Sequence, residues 1–266
     1  MNAIVCVKEI PDPETPPAAF SIDPVAMKAI PAKDTPPVIS PFDEQAVEAA
    51  LRLKDALGGK VMVLSMGAAS AEKVVKHALA MGADEGYLLN DSAFDNSDST
   101  STAYALASAI KKMGEYDLVF CGRQAGDFDA GQVGSGIAEN LGIPSVTIAK
   151  KIEMADGKAK VERVLPDGYD VLEVSLPTLV TVSSELGEPR YATLKGIMAA
   201  GKKKVTSWTA QDIGADASKI GAAGTRTKML KLFIPVQEGK CEIIEGENEE
   251  DTAIKLALKL REAKLI

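Results

Sequence analysis

The first 141 residues alternate between short apolar runs and amphipathic segments, and this alternation constrains the fold more than any other feature of the chain. The apolar runs have the length of strands, whereas the amphipathic segments repeat apolar residues every three or four positions, as helices do. Four strands are predicted, at Ala3–Val7, Lys60–Ser65, Glu85–Leu89 and Leu118–Cys121. Four helices are predicted, at Glu44–Ala56, Ala71–Met81, Ser101–Met113 and Gln132–Leu141.

Strands that alternate with helices form a mostly parallel, twisted sheet with helices on both faces. The predicted fold class is therefore α/β and Rossmann-like, an architecture that binds adenine nucleotides. Asp43 is predicted to cap the first helix, Ser70 to cap the second, and Gly82 to end the second. Ligands of such sheets bind beyond the carboxyl ends of the strands, so the loops that follow the strands form the candidate site.

The sequence after Ser145 follows a different pattern. Val146–Ile152, Lys158–Val164 and Val171–Leu176 alternate apolar and polar residues and are separated by Asp-Gly turns, which predicts an antiparallel meander. A buried strand is then expected at Leu179–Val182, followed by a polar loop over 183–194 and a short helix.

Two regions are expected to leave the sheet. Residues 11–41 are rich in proline, which predicts a long ordered flap that contains no helix. Residues 206–247 show little periodicity and precede a terminal amphipathic helix. We therefore predict a nucleotide-binding domain at 1–205 and a C-terminal arm at 206–266 that packs on a partner subunit.

The composition argues against several functions. A formal net charge of −8 disfavours binding to nucleic acid or to an anionic membrane surface. No apolar run approaches the roughly 20 residues that span a bilayer, so membrane insertion is not expected. The three cysteines lack metal-ligand spacing and predict a reduced, cytoplasmic protein. The single histidine, His77, lies on a predicted helix, so we predict that it is neither a catalytic residue nor a metal ligand.

The segment from Asp117 to Gly134 joins an apolar strand to a glycine-rich polar loop and then to a helix. Such a junction presents backbone N–H groups and a helix N-terminus, which hold nucleotide phosphates in α/β proteins. The loop contains neither of the two standard phosphate-binding glycine motifs. A tight turn without a ligand is the alternative interpretation.

Several motifs together identify a family. Val5–Asp12, Ser40–Ala50 and the loop 122–134 contribute, and the most specific stretch is Glu188-Pro-Arg-Tyr191 with the residues up to Met198. With these motifs the chain resembles, over nearly its whole length, the beta (small) subunit of electron-transfer flavoproteins, most of all the electron-bifurcating bacterial type. The resemblance implies a heterodimer with an alpha subunit that holds FAD, and a second nucleotide in the beta subunit.

The resemblance also implies which residues bind that nucleotide. Backbone N–H groups from Gln124 to Val133 would meet phosphate oxygens, Asp127 or Asp129 would accept hydrogen bonds from ribose hydroxyls, and the backbone around Cys6 would pair with adenine. The residues that match the pocket are Cys6, Lys8, Ser40, Pro41, Phe42, Asp43, Met66, Gly122, Arg123, Gln124, Ala125, Gly126, Asp127, Phe128, Asp129, Ala130, Gly131, Gln132, Val133 and Gly134.

Partner binding is implied for the polar loop over 183–194. Leu186 matches the tip of the family's recognition loop, and Glu188 and Arg190 are expected beside it at the partner interface. The implied partners are the alpha subunit and a flavin-containing dehydrogenase, such as an acyl-CoA or lactate dehydrogenase, with ferredoxin as a low-potential acceptor.

The identity of the nucleotide stays open between FAD and AMP. Ordinary members of the family carry a structural AMP, whereas bifurcating members carry a second FAD that takes electrons from NADH. The small residues Ala130 and Gly131 favour FAD, because they let a pyrophosphate approach the backbone. The polar loop Asn90–Thr100 has room for a flavin ring and NADH in the same interpretation. NADH oxidation is expected only together with the alpha subunit.

Two other classes compete with this interpretation. One is a non-redox module that binds an adenine nucleotide, which would not need the segment Glu188–Met198 or the C-terminal arm. The other is an enzyme with its own catalytic residues, against which the scarcity of histidine and the lack of a nucleophile elbow argue.

Overall fold

The computed structural model describes residues 1–16, 18–30, 35–235, 239 and 241–266. These residues form two compact units, Met1–Leu232 and Phe233–Ile266. The strands are β1 Asn2–Val7, β2 Glu9–Ile10, β3 Ser21–Asp23, β4 Lys28–Ile30, β5 Val38–Ile39, β6 Lys60–Met66, β7 Glu85–Leu89, β8 Leu118–Gly122, β9 Ser145–Ala155, β10 Lys158–Leu165, β11 Gly168–Ser175, β12 Thr178–Val182 and β13 Val205–Trp208. The α-helices are α1 Pro41–Leu57, α2 Glu72–Met81, α3 Ser99–Met113, α4 Val133–Leu141, α5 Leu194–Lys202 and α6 Glu249–Glu262.

A nine-stranded sheet forms the centre of the first unit, in the order β11-β10-β9-β12-β8-β1-β6-β7-β13. In the part of this order that runs β9-β12-β8-β1-β6-β7-β13, all neighbouring strands are parallel. In contrast, β10 runs antiparallel to both β9 and β11. The structure thus confirms the predicted α/β class with a mostly parallel sheet, and the predicted meander extends the same sheet.

Helices cover both faces of the sheet. On one face α1 and α2 pack with Val5, Val63 and Phe120 in one apolar cluster. On the other face α3 and α4 pack with Ile4 and Val119 in a second cluster. Successive residues of a strand point to opposite faces, so the near-continuous apolar strands β1, β6 and β8 supply both clusters.

The order of the strands contains a switch point between β1 and β8. The chain crosses from β1 through α1 to β6 on one side, and α3 later returns it to β8 on the other side of β1. The two strands pair only as far as Val5 and Phe120, although both continue beyond these residues. The carboxyl ends therefore part at the switch point, which is where open α/β sheets bind ligands.

The C-terminal part of the first unit differs from the prediction of an arm that begins at residue 206. Val205–Trp208 forms β13, which pairs with β7 at the edge of the sheet, and the second compact unit begins only at Phe233. The strand forms because the edge of β7 supplies backbone hydrogen-bond partners. Its four residues show too little periodicity for the sequence to predict it. That the arm packs on a partner subunit stays a prediction.

The proline-rich segment contains one short antiparallel pair, β3 with β4, and its strand β5 pairs with β2, which lies just before the segment. The structure describes no helix in this segment before α1 begins at Pro41. Pro17 and the residues 31–34 of the predicted flap lie outside the described residues, as do residues 236–238 and 240 of the predicted arm.

The predicted helix caps are partly confirmed. Gly82 ends α2, and its N–H group donates to the carbonyl oxygens of Ala78 and Leu79. Asp43 is not the cap of α1, because that position belongs to Ser40 and Asp43 lies in the first turn. Ser70 does not cap α2, since its hydroxyl donates to Glu9 at 2.7 Å. In both cases the side chain that the local pattern assigns to the cap forms hydrogen bonds with residues distant in the sequence instead.

The second unit contains α6, which Asn248 caps by accepting a hydrogen bond from the N–H group of Asp251. Its apolar side chains Ile254, Leu256 and Leu258 are exposed. Across the described ranges, every helix is too short or too polar to cross a membrane.

Candidate functional site

The parted ends of β1 and β8 are joined by a single carboxylate. The N–H group of Lys8 donates to Oδ2 of Asp43 at 2.9 Å, and the N–H group of Gly122 donates to Oδ1 at 2.9 Å. Asp43 is only 7% exposed. Both N–H groups lie beyond the last residue pair of the two strands, so without this carboxylate they would lose the partner that each needs when buried. We call this arrangement the Asp43 clasp.

Gly122 lets helix α1 approach close enough to form the clasp. A Cβ atom at this position would lie 2.6 Å from Oδ1 of Asp43 and 2.7 Å from the backbone of Phe42. Ser40, at the start of the same helix, accepts a hydrogen bond from the N–H group of Gly126 at 3.3 Å. The N-terminus of α1 therefore fixes both the beginning and the middle of the 122–132 loop.

The clasp keeps a carboxyl group in an unusual electrostatic state. Burial raises the pKa of Asp43 to about 7, although the N–H groups of Gly122 and Lys8 and the charge of Lys8 lower it and the charge of Asp127 raises it. Each of these groups belongs to the candidate site. A ligand that brings negative charge into the crevice would therefore act on the protonation of this carboxyl group as well.

Side-chain contacts within the 122–132 loop, and between the loop and Lys8, hold it in place. Gln124 donates to Asp129 at 2.8 Å, and Asp129 takes a left-handed backbone conformation with φ of 50°. The Nζ atom of Lys8 lies 2.7 Å from the carboxylate of Asp127 and 5.2 Å from the ring centre of Phe128. The residues from Gly126 to Gln132 are exposed, and within this range the N–H groups of Gly126 and Asp129 donate to Ser40 and to the carbonyl oxygen of Ala125.

Helix α4 begins directly after this loop. Gln132 occupies the cap position, and no described side chain caps the helix start. The first N–H groups of a helix need acceptors, and the helix dipole favours an anion there. Phosphate oxygens would satisfy both requirements.

Arg123 adds a second feature that fits an anionic ligand. Its guanidinium lies over the ring of Phe42 at 4.8 Å, and its backbone N–H group donates to Val182. The buried Nε atom finds no hydrogen-bond partner among the residues that the structure describes. The residues present therefore fit a nucleotide phosphate.

The structure brings most of the predicted site residues to this edge of the sheet. Lys8, Asp43 and the loop 122–134 meet at the parted ends of β1 and β8, with Ser40 and Phe42 beside them. Cys6 and Cys121 instead point into the core formed by α3 and α4, so only their backbone can face a ligand. Met66 ends β6, one strand further along, and packs against the same core.

The loop that follows β7 is fastened to the chain itself. Asp91 accepts from the N–H group of Ala210 at 3.0 Å, and Asp98 accepts from the N–H groups of Arg226 and Thr227 at 2.7 and 3.0 Å. Burial alone would raise the pKa of Asp98, but the N–H donors of Ser101, Arg226 and Thr227 lower it to about 2. These two carboxylates therefore hold residues 210–227 in place.

The predicted recognition loop differs from the expectation of an exposed leucine. Leu186 is half-buried and packs against the core under α1 and α2. Glu188 is exposed, whereas Arg190 is half-buried and forms ion pairs with Glu48 and Asp55 on α1. Burial of Leu186 depends on a helix more than 100 residues earlier, so the polar sequence around it gives no sign of this packing.

Four exposed apolar side chains lie at the end of this loop and on α5 instead. They lie at the start of α5 and just before it, and we call them the docking patch: Tyr191, Leu194, Ile197 and Met198, with 93%, 75%, 54% and 62% of their surface exposed. Sequence reasoning missed this patch, although the spacing of Leu194, Ile197 and Met198 marks one face of a helix.

Comparison with known proteins assigns this architecture to a family. The model of the electron transfer flavoprotein domain matches residues 12–213. The chain is 45% identical to an electron transfer flavoprotein subunit beta from Thermoanaerobacterium thermosaccharolyticum, over 94% of each chain. It is 41% identical to the CarD subunit of a caffeyl-CoA reductase–Etf complex from Acetobacterium woodii, over all of each chain. It is 37% identical to the electron transfer subunit gamma of an acryloyl-CoA reductase from Anaerotignum propionicum, over 97% of this chain and 99% of that protein.

The Asp43 clasp predicts a pH dependence of stability. The folded protein holds the Asp43 proton up to about pH 7, whereas an unfolded chain loses it near pH 4. Stability from this group is therefore complete below about pH 4 and declines as the pH rises towards 7. Asp43→Asn removes the titration, so the difference in unfolding free energy between the native protein and the variant should fall by about 1–4 kcal/mol between pH 5 and 8. Urea unfolding at each pH measures this difference.

Asp167→Asn is the control, because it changes an exposed carboxylate in the turn between β10 and β11. Its difference from the native protein should not follow the same curve. A constant difference for Asp43→Asn across the pH range would show that the clasp carboxyl group does not titrate there.

Proposed function

Because this chain belongs to the electron transfer flavoprotein family, as a beta subunit, we propose that it binds FAD in the crevice between β1 and β8 and works in an electron-bifurcating heterodimer. The alpha subunit holds the second FAD in this proposal, and NADH is the electron donor. A bound flavin would supply the redox chemistry, in which electrons from NADH are divided between a low-potential acceptor such as ferredoxin and the alpha-subunit flavin. A cytoplasmic location belongs to the same proposal.

The observation that carries the proposal is the parting of β1 and β8 at the switch point. The chain offers two kinds of group to a dinucleotide there: the N–H groups of the exposed loop and the start of α4, and the guanidinium of Arg123. Ala130 and Gly131 leave the loop backbone accessible to a pyrophosphate. The beta subunit thus acts by binding and orienting the nucleotide, whereas no side chain is assigned a catalytic step.

Structural AMP in the same crevice is the second candidate. The groups that fit a pyrophosphate also fit a single phosphate, so this part of the site accommodates both ligands. The polar loop after β7 supports FAD less than the sequence suggests, because Asp91 and Asp98 hold the chain's own backbone. The names of two relatives, as subunits of acyl-CoA reductase complexes, favour a specialised redox role.

The electron acceptor that we propose is a flavin dehydrogenase acting on acyl-CoA thioesters. Caffeyl-CoA and acryloyl-CoA, which appear in the names of the two relatives, are both α,β-unsaturated thioesters. This favours an acyl-CoA dehydrogenase over a lactate dehydrogenase. The alpha subunit is the second proposed partner, and the exposed apolar side chains of α6 suit packing against another chain.

The docking patch is the surface that we propose for the dehydrogenase. An exposed cluster with an aromatic and several aliphatic side chains is typical of the centre of a protein interface. Leu194 carries this proposal better than Leu186, which is half-buried in the free chain. Docking by Leu186, Glu188 and Arg190 stays a prediction from the sequence.

Analysis of the bound nucleotides tests the cofactor proposal. The heterodimer of this chain and its alpha subunit is purified and denatured, and the released nucleotides are separated by chromatography. We expect two FAD per heterodimer. One FAD and one AMP would contradict bifurcation and leave an ordinary electron carrier, and a heterodimer without flavin would contradict both forms of the function.

Truncation of the docking patch tests the partner proposal. Leu194→Ala should raise the KM for an acyl-CoA dehydrogenase roughly tenfold, because an anchor at an interface centre contributes about 1–2 kcal/mol. The nucleotide content should not change. Leu186→Ala is a poorer test, since it also removes packing from the core.

Val25→Ala is the matched control, because Val25 is 91% exposed between β3 and β4. It should leave the KM within twofold of the native value. Equal effects of Val25→Ala and Leu194→Ala, or no effect of either, would contradict docking through this patch.

A further inference from the structure

The loop between β12 and α5 is tied to helix α1 by a buried carboxylate. The side chain of Glu48 is only 5% exposed. Its Oε2 atom accepts from Nε of Arg190 at 2.7 Å and from the backbone N–H group of the same residue at 3.1 Å. Arg52 donates to Oε1 at 2.8 Å. One carboxylate thus holds two guanidinium groups and one backbone group of the loop.

Arg52 carries the connection to the other end of the loop. Its Nη1 atom donates to the carbonyl oxygen of Leu186 at 2.9 Å, and its Nη2 atom donates to that of Glu188 at 3.1 Å. The backbone is therefore held at residues 186, 188 and 190, always through α1. We call Glu48, Arg52 and Arg190 the loop anchor.

The electrostatics of the anchor are favourable. Burial would raise the pKa of Glu48, but the hydrogen bonds from Arg190 and Arg52 lower it below its ordinary value. The carboxylate is therefore charged at neutral pH. Asp55 adds a more exposed contact, because its carboxylate lies 2.8 Å from Nη2 of Arg190 and its side chain is 62% exposed. Charged hydrogen bonds between a carboxylate and a guanidinium group require a specific geometry, so they suit a residue that fixes the position of a loop.

Helix α1 connects this anchor to the nucleotide crevice. Asp43 forms the clasp in the first turn of α1, and Glu48 lies five residues later in the same helix. On the other side of the loop, Arg190 is followed directly by Tyr191 of the docking patch. One rigid helix therefore contacts both the crevice and the loop that leads to the patch.

We propose that Glu48 is a positioning residue, which fixes the 186–190 loop and Tyr191 of the docking patch relative to the nucleotide crevice through Arg52 and Arg190. The α5 part of the patch is held separately, because Lys76 donates to the carbonyl oxygen of Ala200 and Lys203 donates to that of Ala83. The inference depends on the proposed function, because it gives the patch its purpose. Without the carboxylate, the two guanidinium groups lose their common partner and the loop is free to move. Tyr191 then loses its fixed place beside the α5 part of the patch, so a docked partner loses this contact, although the crevice keeps its clasp.

The test compares Glu48→Gln with Asp55→Asn in the complete heterodimer. Electron transfer is measured to a purified acyl-CoA dehydrogenase, and separately to the dye 2,6-dichlorophenolindophenol, which requires no protein docking. Glu48→Gln should raise the KM for the dehydrogenase roughly tenfold. Its rate with the dye and its nucleotide content should stay within twofold of the native values. Asp55→Asn should stay within twofold in every measurement, because it removes only the exposed contact.

Two outcomes would overturn the inference. One is an unchanged KM for the dehydrogenase in Glu48→Gln. The other is an equal loss in the dehydrogenase and dye assays, which would show a general structural role. If Glu48→Gln does not fold, Arg52→Ala replaces it, since this change removes the bonds to Leu186 and Glu188 and leaves Arg190 paired.

Amide hydrogen exchange separates this inference from the proposed function. Exchange at residues 184–190 should be at least tenfold faster in Glu48→Gln than in Asp55→Asn, and equal rates would overturn the positioning role. If the native heterodimer transfers no electrons to the dehydrogenase, the proposed partner is wrong, and the exchange result alone decides whether Glu48 holds the loop.

Discussion

The bond between one carboxylate and two strand ends organises this protein. Where β1 and β8 part, two backbone N–H groups lose their strand partners, and a buried N–H group without an acceptor costs about 1–3 kcal/mol. Asp43 satisfies both from the first turn of α1. The strand ends can therefore part at the switch point with both of these N–H groups satisfied, and the position of α1 is fixed by the same contact.

The proposed function depends on the position of that helix. Its N-terminus holds the 122–132 loop through Ser40, and its middle holds the 186–190 loop through Glu48 and Arg52. The proposed nucleotide site and the loop that leads to the proposed docking surface are thereby both connected to one rigid helix. An electron carrier needs such a fixed geometry, because electron transfer depends on how the partner is placed relative to the cofactor.

The sequence predicts the central sheet and its helices because their signals are local. β7 coincides with its predicted range Glu85–Leu89, and α2 begins one residue later than predicted. Periodicity and glycine positions carry this information within a few residues. The 122–134 loop was recognisable for the same reason, since a strand, a glycine-rich loop and a helix follow one another directly.

Features that depend on distant partners were not predictable in this way. Asp43 has the sequence of a helix cap and instead contacts two strand ends, and Leu186 lies in a polar loop and is nevertheless half-buried. The strand Val205–Trp208 forms because β7 offers it an edge. Each of these depends on residues more than 30 positions away. The family resemblance indicates a nucleotide pocket, but the role of Glu48 follows only from the contacts themselves.

The central claim is that a nucleotide lies between the carboxyl ends of β1 and β8. Photolabelling tests it most directly, with 8-azido-AMP added to the heterodimer after its resident nucleotide has been removed, and with the labelled beta-chain peptides identified by mass spectrometry. We expect label in peptides from residues 2–10 and 118–134, and protection of these peptides by unlabelled nucleotide. Label confined to the meander at 145–175, or no protectable label in this chain, would contradict it.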